Sequence, residues 1–174
     1  LCIPELEARQ IVAEFVNLDD LCEASGDVNG DSVVNVVDVV RLVSHILGGD
    51  QLGGVGGCQA DVNGDGVINV VDAVIIVNSI LGGNDHSDDV AKNASIQYAD
   101  NKISIEADGF VQGVQLSISH CDDFSIELYD DPSLMVSKHE TKDNTTNVIL
   151  ISKGIETIKD IANISSSCEI TFND

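Results

Sequence analysis

The sequence predicts an α+β protein in two parts, a helical module followed by an all-β antiparallel sandwich. An internal repeat predicts the first part. The 23 residues from Asp27 and the 23 from Asp61 are identical at 16 positions, and each copy ends in an apolar stripe at helical spacing. Alternation of apolar and polar residues after Val90 predicts the second part. Because aromatic residues make up only 3% of the chain and Trp is absent, the core must consist mainly of Val, Ile and Leu.

Residues 1–24 precede the repeat and predict one helix, from about Pro4 to Asn17. Pro4 is compatible with the first turn of a helix. The negative charges of Glu5 and Glu7 are stabilising near the N-terminus, the positive end of the helix dipole. Apolar residues follow at roughly helical spacing, namely Leu6, Ile11, Val12, Phe15 and Leu18. We expect this apolar face to pack against the repeated units.

Residues 25–83 form the repeat module, in which each unit is a polar loop followed by a helix. The apolar stripe of the first helix consists of Val36, Val39, Val40, Val43, Ile46 and Leu47. That of the second consists of Val70, Val74, Val77, Ile80 and Leu81. A Gly-Gly pair after each stripe predicts the end of the helix. No helix is predicted to lead into either loop, and the Gly-rich connector 50–57 is predicted to be flexible.

Residues 84–90 are polar and acidic and predict a linker. Residues 91–174 then show period-two patterns separated by turn signals, and short strands at this density are typical of an antiparallel sandwich. The predicted strands are 95–98, 102–107, 114–119, 124–128, 147–152 and 168–172.

Each polar loop places oxygen-bearing side chains at positions 1, 3, 5, 9 and 12, the spacing with which a chain surrounds Ca²⁺, while position 7 offers a backbone carbonyl. The ligands predicted in the first loop are Asp27, Asn29, Asp31, Val33, Asn35 and Asp38. Those in the second loop are Asp61, Asn63, Asp65, Val67, Asn69 and Asp72. The sequence therefore predicts two Ca²⁺ ions.

Position 6 of the loop makes the sharp turn and differs between the two copies. It is Gly66 in the second loop and Ser32 in the first, where a left-handed backbone costs more. We expect the first site to be slightly weaker. Removal of the ions would leave clustered carboxylates that repel one another, so chelation is predicted to unfold residues 22–83.

The net charge of −22 excludes two classes of partner. Nucleic acid and anionic membrane surfaces both require clustered Lys and Arg, and this chain has only 8 such residues against 30 acids. No apolar run is long enough to span a membrane, and no signal peptide is visible. The remaining interpretations are a very soluble secreted surface and a surface that holds cations, and the two are compatible.

Five cysteines, none in a CxxC pair, favour disulfides in an oxidising, extracellular compartment. Cys121 and Cys168 lie in predicted strands of the sandwich and are expected to pair. Cys22 and Cys58 each precede a loop and could bridge, but a Cys2–Cys22 bond competes with this pairing. One cysteine is left over, free or bonded to another chain.

The duplicated loop–helix unit, with its GDVNGD…N..D…ILGG pattern over residues 26–83, closely resembles a dockerin. The resemblance implies a calcium-dependent module that binds a β-sandwich partner, the cohesin, through residues at loop positions 10 and 11. Those positions are Val36, Val37, Val70 and Val71, where one major class of dockerins commonly has small polar residues. They predict an apolar contact, either buried within the chain or available to a partner.

Residues 110–174 faintly resemble cohesin-like sandwiches, which implies that one chain carries both halves of a docking pair. We therefore predict a non-catalytic extracellular structural protein, assembled with copies of itself into a fibre or surface array. The contacts would be head-to-tail between module and sandwich, or made by strand addition. The alternative is a dockerin that anchors its chain to a separate cohesin scaffold.

No catalytic residues are predicted, because the sequence contains no recognised nucleophile, phosphate-binding or zinc-protease motif, and its four histidines are not spaced as a metal or triad site. Three Asn-X-Ser/Thr triplets predict glycosylation at surface positions if the source organism glycosylates: Asn93, Asn144 and Asn163.

Overall fold

The computed structural model describes residues 23–83 and 89–173 and contains both predicted parts, three helices followed by two antiparallel sheets. The predicted N-terminal helix and most of the predicted linker lie outside the described residues. Within those residues, no helix has the length and apolar character that crossing a membrane would require.

The helical module contains α1 (Val36–Ile46), α2 (Val55–Ala60) and α3 (Val70–Leu81). Asn35 and Asn69 cap α1 and α3, and each capping box is completed by an Asp three residues later. The predicted ends are confirmed, since Gly82 caps α3 with a left-handed backbone and Gly48 follows α1 with a φ of +86°. Helices α1 and α3 pack on each other around Leu42, Ile76 and their neighbours.

Helix α2 contradicts the prediction that the connector is flexible and that no helix leads into the second loop. Two glycines within six residues argue against a helix in water. Here, however, both lie against backbone, because a Cβ on Gly56 would come within 3.3 Å of the Val28 carbonyl oxygen and one on Gly57 within 3.6 Å of the Leu52 carbonyl oxygen. Tertiary packing, including fully buried Ala60, therefore overrides the local propensity.

Within residues 89–173, the sandwich has eight strands in two sheets. The first sheet has the order β1-β2-β7-β4, and its strands are β1 (Ala94–Ala99), β2 (Lys102–Ala107), β4 (Ser125–Leu128) and β7 (Asp160–Ser165). The second sheet has the order β5-β6-β3-β8, and its strands are β3 (Gly113–Ser119), β5 (Leu134–Lys142), β6 (Thr145–Ser152) and β8 (Thr171–Asn173). All six strand pairings are antiparallel.

The sequence patterns located five strands correctly and missed two, β5 and β7. Strand β5 ends in six exposed residues, so only its first part shows an apolar pattern. Strand β7 contains adjacent buried residues, Ile161 and Ala162, at a shift in its register with β2, and this breaks the period of two. The predicted strand 168–172 shortens to β8, which begins at Thr171.

Strand β6 is buried on both faces and joins the two parts of the protein. Val148 and Leu150 point into the core between the sheets. Ile149 and Ile151 point the other way, into a second core shared with α1 and α3. The molecule is therefore three layers deep, with sheet, sheet and helices in that order, and the outer face of the second sheet is covered by the repeat module.

Candidate calcium loops and docking faces

The carboxylate at loop position 1 organises the turn of the first loop. Asp27 Oδ1 accepts the backbone N–H groups of Gly30 and Asp31, at 2.8 and 3.0 Å. Its Oδ2 accepts the N–H of Ser32 at 2.8 Å. A short loop with several inward N–H groups thus closes around one carboxylate.

Positions 3, 5, 7 and 9 form a chain of contacts around the same loop. The Asn29 amide donates to Asp31 Oδ2 at 2.9 Å, and Asp31 Oδ1 accepts the N–H of Val33 at 2.9 Å. The Asn35 amide donates to the Val33 carbonyl at 3.1 Å. The four predicted ligand positions are therefore neighbours in space as well as in sequence.

Position 12 closes the loop from the first turn of the helix. Asp38 Oδ1 accepts the N–H of Asn29 at 3.0 Å, and its Oδ2 accepts the N–H of Asn35 at 2.9 Å. The residue is fully buried. Since an ionised carboxylate has about four acceptor sites, each oxygen of Asp38 can still accept a further partner.

The second loop repeats these contacts with the residues shifted by 34 positions. Asp72 is fully buried and accepts the N–H groups of Asn63 and Asn69, at 3.2 and 2.9 Å. Most of the remaining bonds also have counterparts, those of Asp61 with Asp65 and Gly66, of Asn63 with Asp65, and of Asn69 with the Val67 carbonyl. The bond from Gly30 to Asp27 has no equivalent in the described residues of the second loop. The sequence repeat is therefore a structural repeat.

The charge of these loops is uncompensated within the described part of the chain. The only ion pair found there joins Lys102 to Asp160, far along the chain in the first sheet. Leaving the buried carboxylates of Asp38 and Asp72 without a positive partner would cost several kcal/mol, on the order expected for a desolvated ion. Hard oxygen donors, clustered negative charge and no basic neighbour together fit Ca²⁺.

The four valines predicted to bind a partner do not share one environment. Val36, Val37 and Val71 are 48%, 53% and 49% exposed. Val70 is half-buried, and its N–H donates to Gln115 Oε1 of β3 at 3.0 Å. One of the four thus contacts the chain's own sandwich, and three remain open to solvent.

Gly113 and Gln115 form the receiving side of this contact, and the sequence analysis did not single out either residue. A Cβ on Gly113 would lie 2.7 Å from a Val74 methyl and 3.1 Å from a Val70 methyl. Asn78 and Gln112 add amide–amide hydrogen bonds at 2.6 and 3.2 Å. No sequence signal marks these residues, because their role depends on which sheet face α3 meets.

Cys121 and Cys168 form the predicted disulfide within the sandwich. Asp123 lies close to both sulfurs, and three such groups could suggest a metal site. A disulfide offers no thiolate, however, so this cluster has no soft ligand for a metal. Cys58 is also disulfide-bonded, whereas its predicted partner Cys22, and Cys2, which was predicted to compete for Cys22, lie outside the described residues.

The three glycosylation candidates are all exposed. The Asn93 amide donates to Asp108, and the Asn144 amide donates to Asp122, both at 2.8 Å. Asn163 accepts from the Tyr129 hydroxyl through its oxygen at 2.9 Å. Surface placement agrees with the expectation, and occupancy stays a prediction.

Part of the chain is similar to a known protein family. Residues 25–81 and 59–104 match the family model described as a dockerin type I domain. No curated protein and no solved structure matches the chain.

Proposed function

We propose that the chain is an extracellular structural subunit, because residues 25–81 match the dockerin type I domain, a non-catalytic module that binds calcium and mediates protein–protein assembly. Its module would dock on a β-sandwich of a neighbouring subunit, building a fibre or surface array. A module and its complement on one chain make a heterologous contact, and such contacts close into rings or extend into filaments.

We assign two Ca²⁺ ions to the two loops. The proposed ligands are the six residues of each loop named above, with Val33 and Val67 contributing carbonyl oxygens. Support comes from the matching hydrogen-bond networks and from the two buried carboxylates that lack a basic partner. The ions would hold the module rigid, because both loops end directly on helices that carry the docking residues.

The observation that carries the docking proposal is an asymmetry between the two repeats. The valines of α3 that face the sandwich, Val70 and Val74, are covered by β3 of the same chain. Their equivalents on α1, Val36 and Val40, are 48% and 44% exposed. A matching surface is thus occupied in one repeat and free in the other.

The occupied face indicates what the free face would bind. Within the chain, Val70 and Val74 of α3 contact the outer face of the second sheet at Gly113. The side-chain oxygen of Gln115 accepts the N–H of Val70, the first residue of the helix. A partner for α1 would present the same features, namely a flat sheet, a small residue and an acceptor. A β-sandwich subunit fits this description.

Anchoring to a separate cohesin scaffold is the second candidate, because the free α1 face suits a cohesin sandwich as well as a subunit of the array. Sedimentation velocity and electron microscopy in calcium distinguish the two. We expect concentration-dependent assembly of the chain alone, lost in EGTA. Capture of a cohesin domain by a chain that does not assemble would favour anchoring.

A matched pair of variants tests the docking face. Val36→Asp places a charge on the free face of α1, and Val71→Asp places the same charge on an equally exposed valine outside that face. We expect Val36→Asp to weaken assembly at least tenfold and Val71→Asp to leave it nearly unchanged. Equal effects of the two substitutions, or neither assembly nor cohesin capture by the wild type, would show the proposal to be wrong.

A further inference from the structure

The described residues form two sheets with four edges, and three of these edges are protected against pairing with another chain. Strand β4 is four residues long and carries Glu127. Strand β8 has only three residues, and β5 carries alternating charges and a register shift near its start. Short length, charge and irregularity are the usual means of blocking an edge.

Strand β1 has none of these protections. Its six residues, Ala-Ser-Ile-Gln-Tyr-Ala, include no charge and no proline, and its register with β2 is regular over the whole length. Five of the six residues are exposed. An uncharged, regular and exposed edge is a template for another strand.

The hairpin geometry shows which backbone groups of β1 are open. Asp100 and Asn101 both have positive φ and form a two-residue turn, so Ala99 and Lys102 are its hydrogen-bonded closing pair. Alternation along the strand then directs the N–H and C=O groups of Ala94, Ile96 and Tyr98 away from β2. Within the described residues, these groups have no hydrogen-bond partner.

The side chains of β1 alternate as those of a strand that is buried on one face. Ala94, Ile96 and Tyr98 lie on the side of the sandwich core, and Tyr98 is still 44% exposed. A cleft of about 230 Å³ separates β1 from β3 and is lined in part by Ile96 and Leu116. Strand β8 pairs with β3 only at residues 117–119 and does not extend beside the β3 residues that line this cleft.

We propose that β1 is a self-pairing edge, through which two copies of the chain join antiparallel about a twofold axis at Ile96. The three open residues are spaced symmetrically about Ile96, so Ala94 would face Tyr98 of the second copy, with about six hydrogen bonds between them. The two four-stranded sheets become one sheet of eight strands. An isologous contact of this kind needs one patch that complements itself.

Charge also selects a second copy at this edge. In a chain with a net charge of −22, most surfaces of two copies repel each other. Strand β1 carries no charge, and pairing would cover Ile96 and Tyr98 of both copies. The inference rests on the proposed assembly function and adds a second, different joint to the one on α1.

Sedimentation velocity of the full chain over a range of concentrations tests the proposal, with Ser95→Lys/Gln97→Lys as the edge variant. Both side chains point away from the core, and the twofold would place each new lysine opposite another. The control is Ser104→Lys/Ser165→Lys, which adds the same charge to inner strands of the same sheet. With the α1 joint blocked in every protein by Val36→Asp, we expect dimerisation of the chain with a native edge, a dissociation constant at least tenfold higher in the edge variant, and an unchanged control.

Hydrogen exchange gives an independent readout. The amides of Ala94, Ile96 and Tyr98 should become protected as protein concentration rises. Protection already complete in the monomer, or equal weakening by the edge and control variants, would overturn the β1 contact. If the wild type stays monomeric but captures a cohesin domain, the inference fails and the docking function stands; if it does neither, both fail.

Discussion

At the scale of single residues, the two calcium loops differ most at position 6. Ser32 and Gly66 share a left-handed backbone, with φ of +70° and +84°. Glycine adopts this region without cost, whereas a residue with a Cβ is strained by about 1 kcal/mol. The strain inferred from sequence is therefore present in the structure, and it falls on the first loop alone.

Replacing Ser32 with glycine should relieve this strain. We expect Ser32→Gly to raise the free energy of unfolding in calcium by about 0.5–1 kcal/mol and to tighten calcium binding at the first loop. Gly66→Ser is the matched control and should have the opposite effect on the second loop. Calorimetric calcium titration and denaturant unfolding measure both. Ser32→Gly leaving the two quantities unchanged would contradict the assignment.

Asp108 fixes the start of β1 through three hydrogen bonds. It accepts from the Lys92 and Asn93 backbone N–H groups and from the Asn93 amide, at 2.7, 2.9 and 2.8 Å. The bonds from Asn93, and then that from Lys92, hold the pKa of Asp108 below its ordinary value of 3.8.

A lowered pKa means that the ionised form stabilises the fold above about pH 4, and that this contribution is lost as pH falls through the lowered value. We expect the Lys92 and Asn93 amides to lose exchange protection in acid below pH 3.8. In Asp108→Asn the protection should be weaker and independent of pH over the same range. Identical pH profiles for the two proteins would rule out this role.

At the scale of elements, the contact between α3 and β3 depends on one glycine. Gly113 lies under Val70 and Val74, where an added Cβ would overlap a methyl group at 2.7 Å. Distances below 3.0 Å require one partner to move, and in a packed layer that movement costs energy. The position therefore sets how closely the module approaches the sheet.

We expect Gly113→Ala to lower the free energy of unfolding by about 1–3 kcal/mol, as overpacking does elsewhere. Gly53→Ala is the matched control, because a Cβ at Gly53 meets nothing within 4 Å. Denaturant unfolding in calcium measures both variants. Equal stability of the two would mean that α3 does not pack closely on β3.

At the scale of the whole molecule, the module and the sandwich share a core and are coupled. Val136, Ile149 and Ile151 of the second sheet belong to the same buried cluster as Leu42 and Ile76 of the helices. The other cluster lies between the sheets and contains no residue of the module. Calcium at the loops should therefore affect the outer face of the sheet as well as the helices.

Chelation with EGTA should remove most helical circular dichroism, since the loop carboxylates then repel one another and residues 22–83 unfold. The apolar face of β6 becomes accessible, so binding of an apolar dye should rise. Amides of β2 and β7, which lie next to the other core, should keep their protection. An unchanged helical spectrum in excess EGTA would contradict the prediction.

The features that depend on local spacing of residues could be predicted from the amino-acid sequence alone. The loops, the two long helices and most strands follow from residues near one another in the chain, because capping, turns and alternation act over a few positions. The disulfide between Cys121 and Cys168 was predicted, although both cysteines lie in connections between strands and not in strands as expected. The residues proposed as calcium ligands were equally predictable as neighbours, since one loop brings them together.

Which faces of the helices and strands pack together depends on tertiary contacts. These contacts stabilise α2 in a glycine-rich segment, interrupt the period of two in β7, and bury β6 on both faces. The tertiary structure also shows that the valines of α3 are covered at Gly113, whereas the equivalent valines of α1 are exposed, although the two repeats are nearly identical in sequence. The physical reason is that burial depends on the partner surface, and a repeat that is symmetric in sequence has only one sheet within its own chain to cover it.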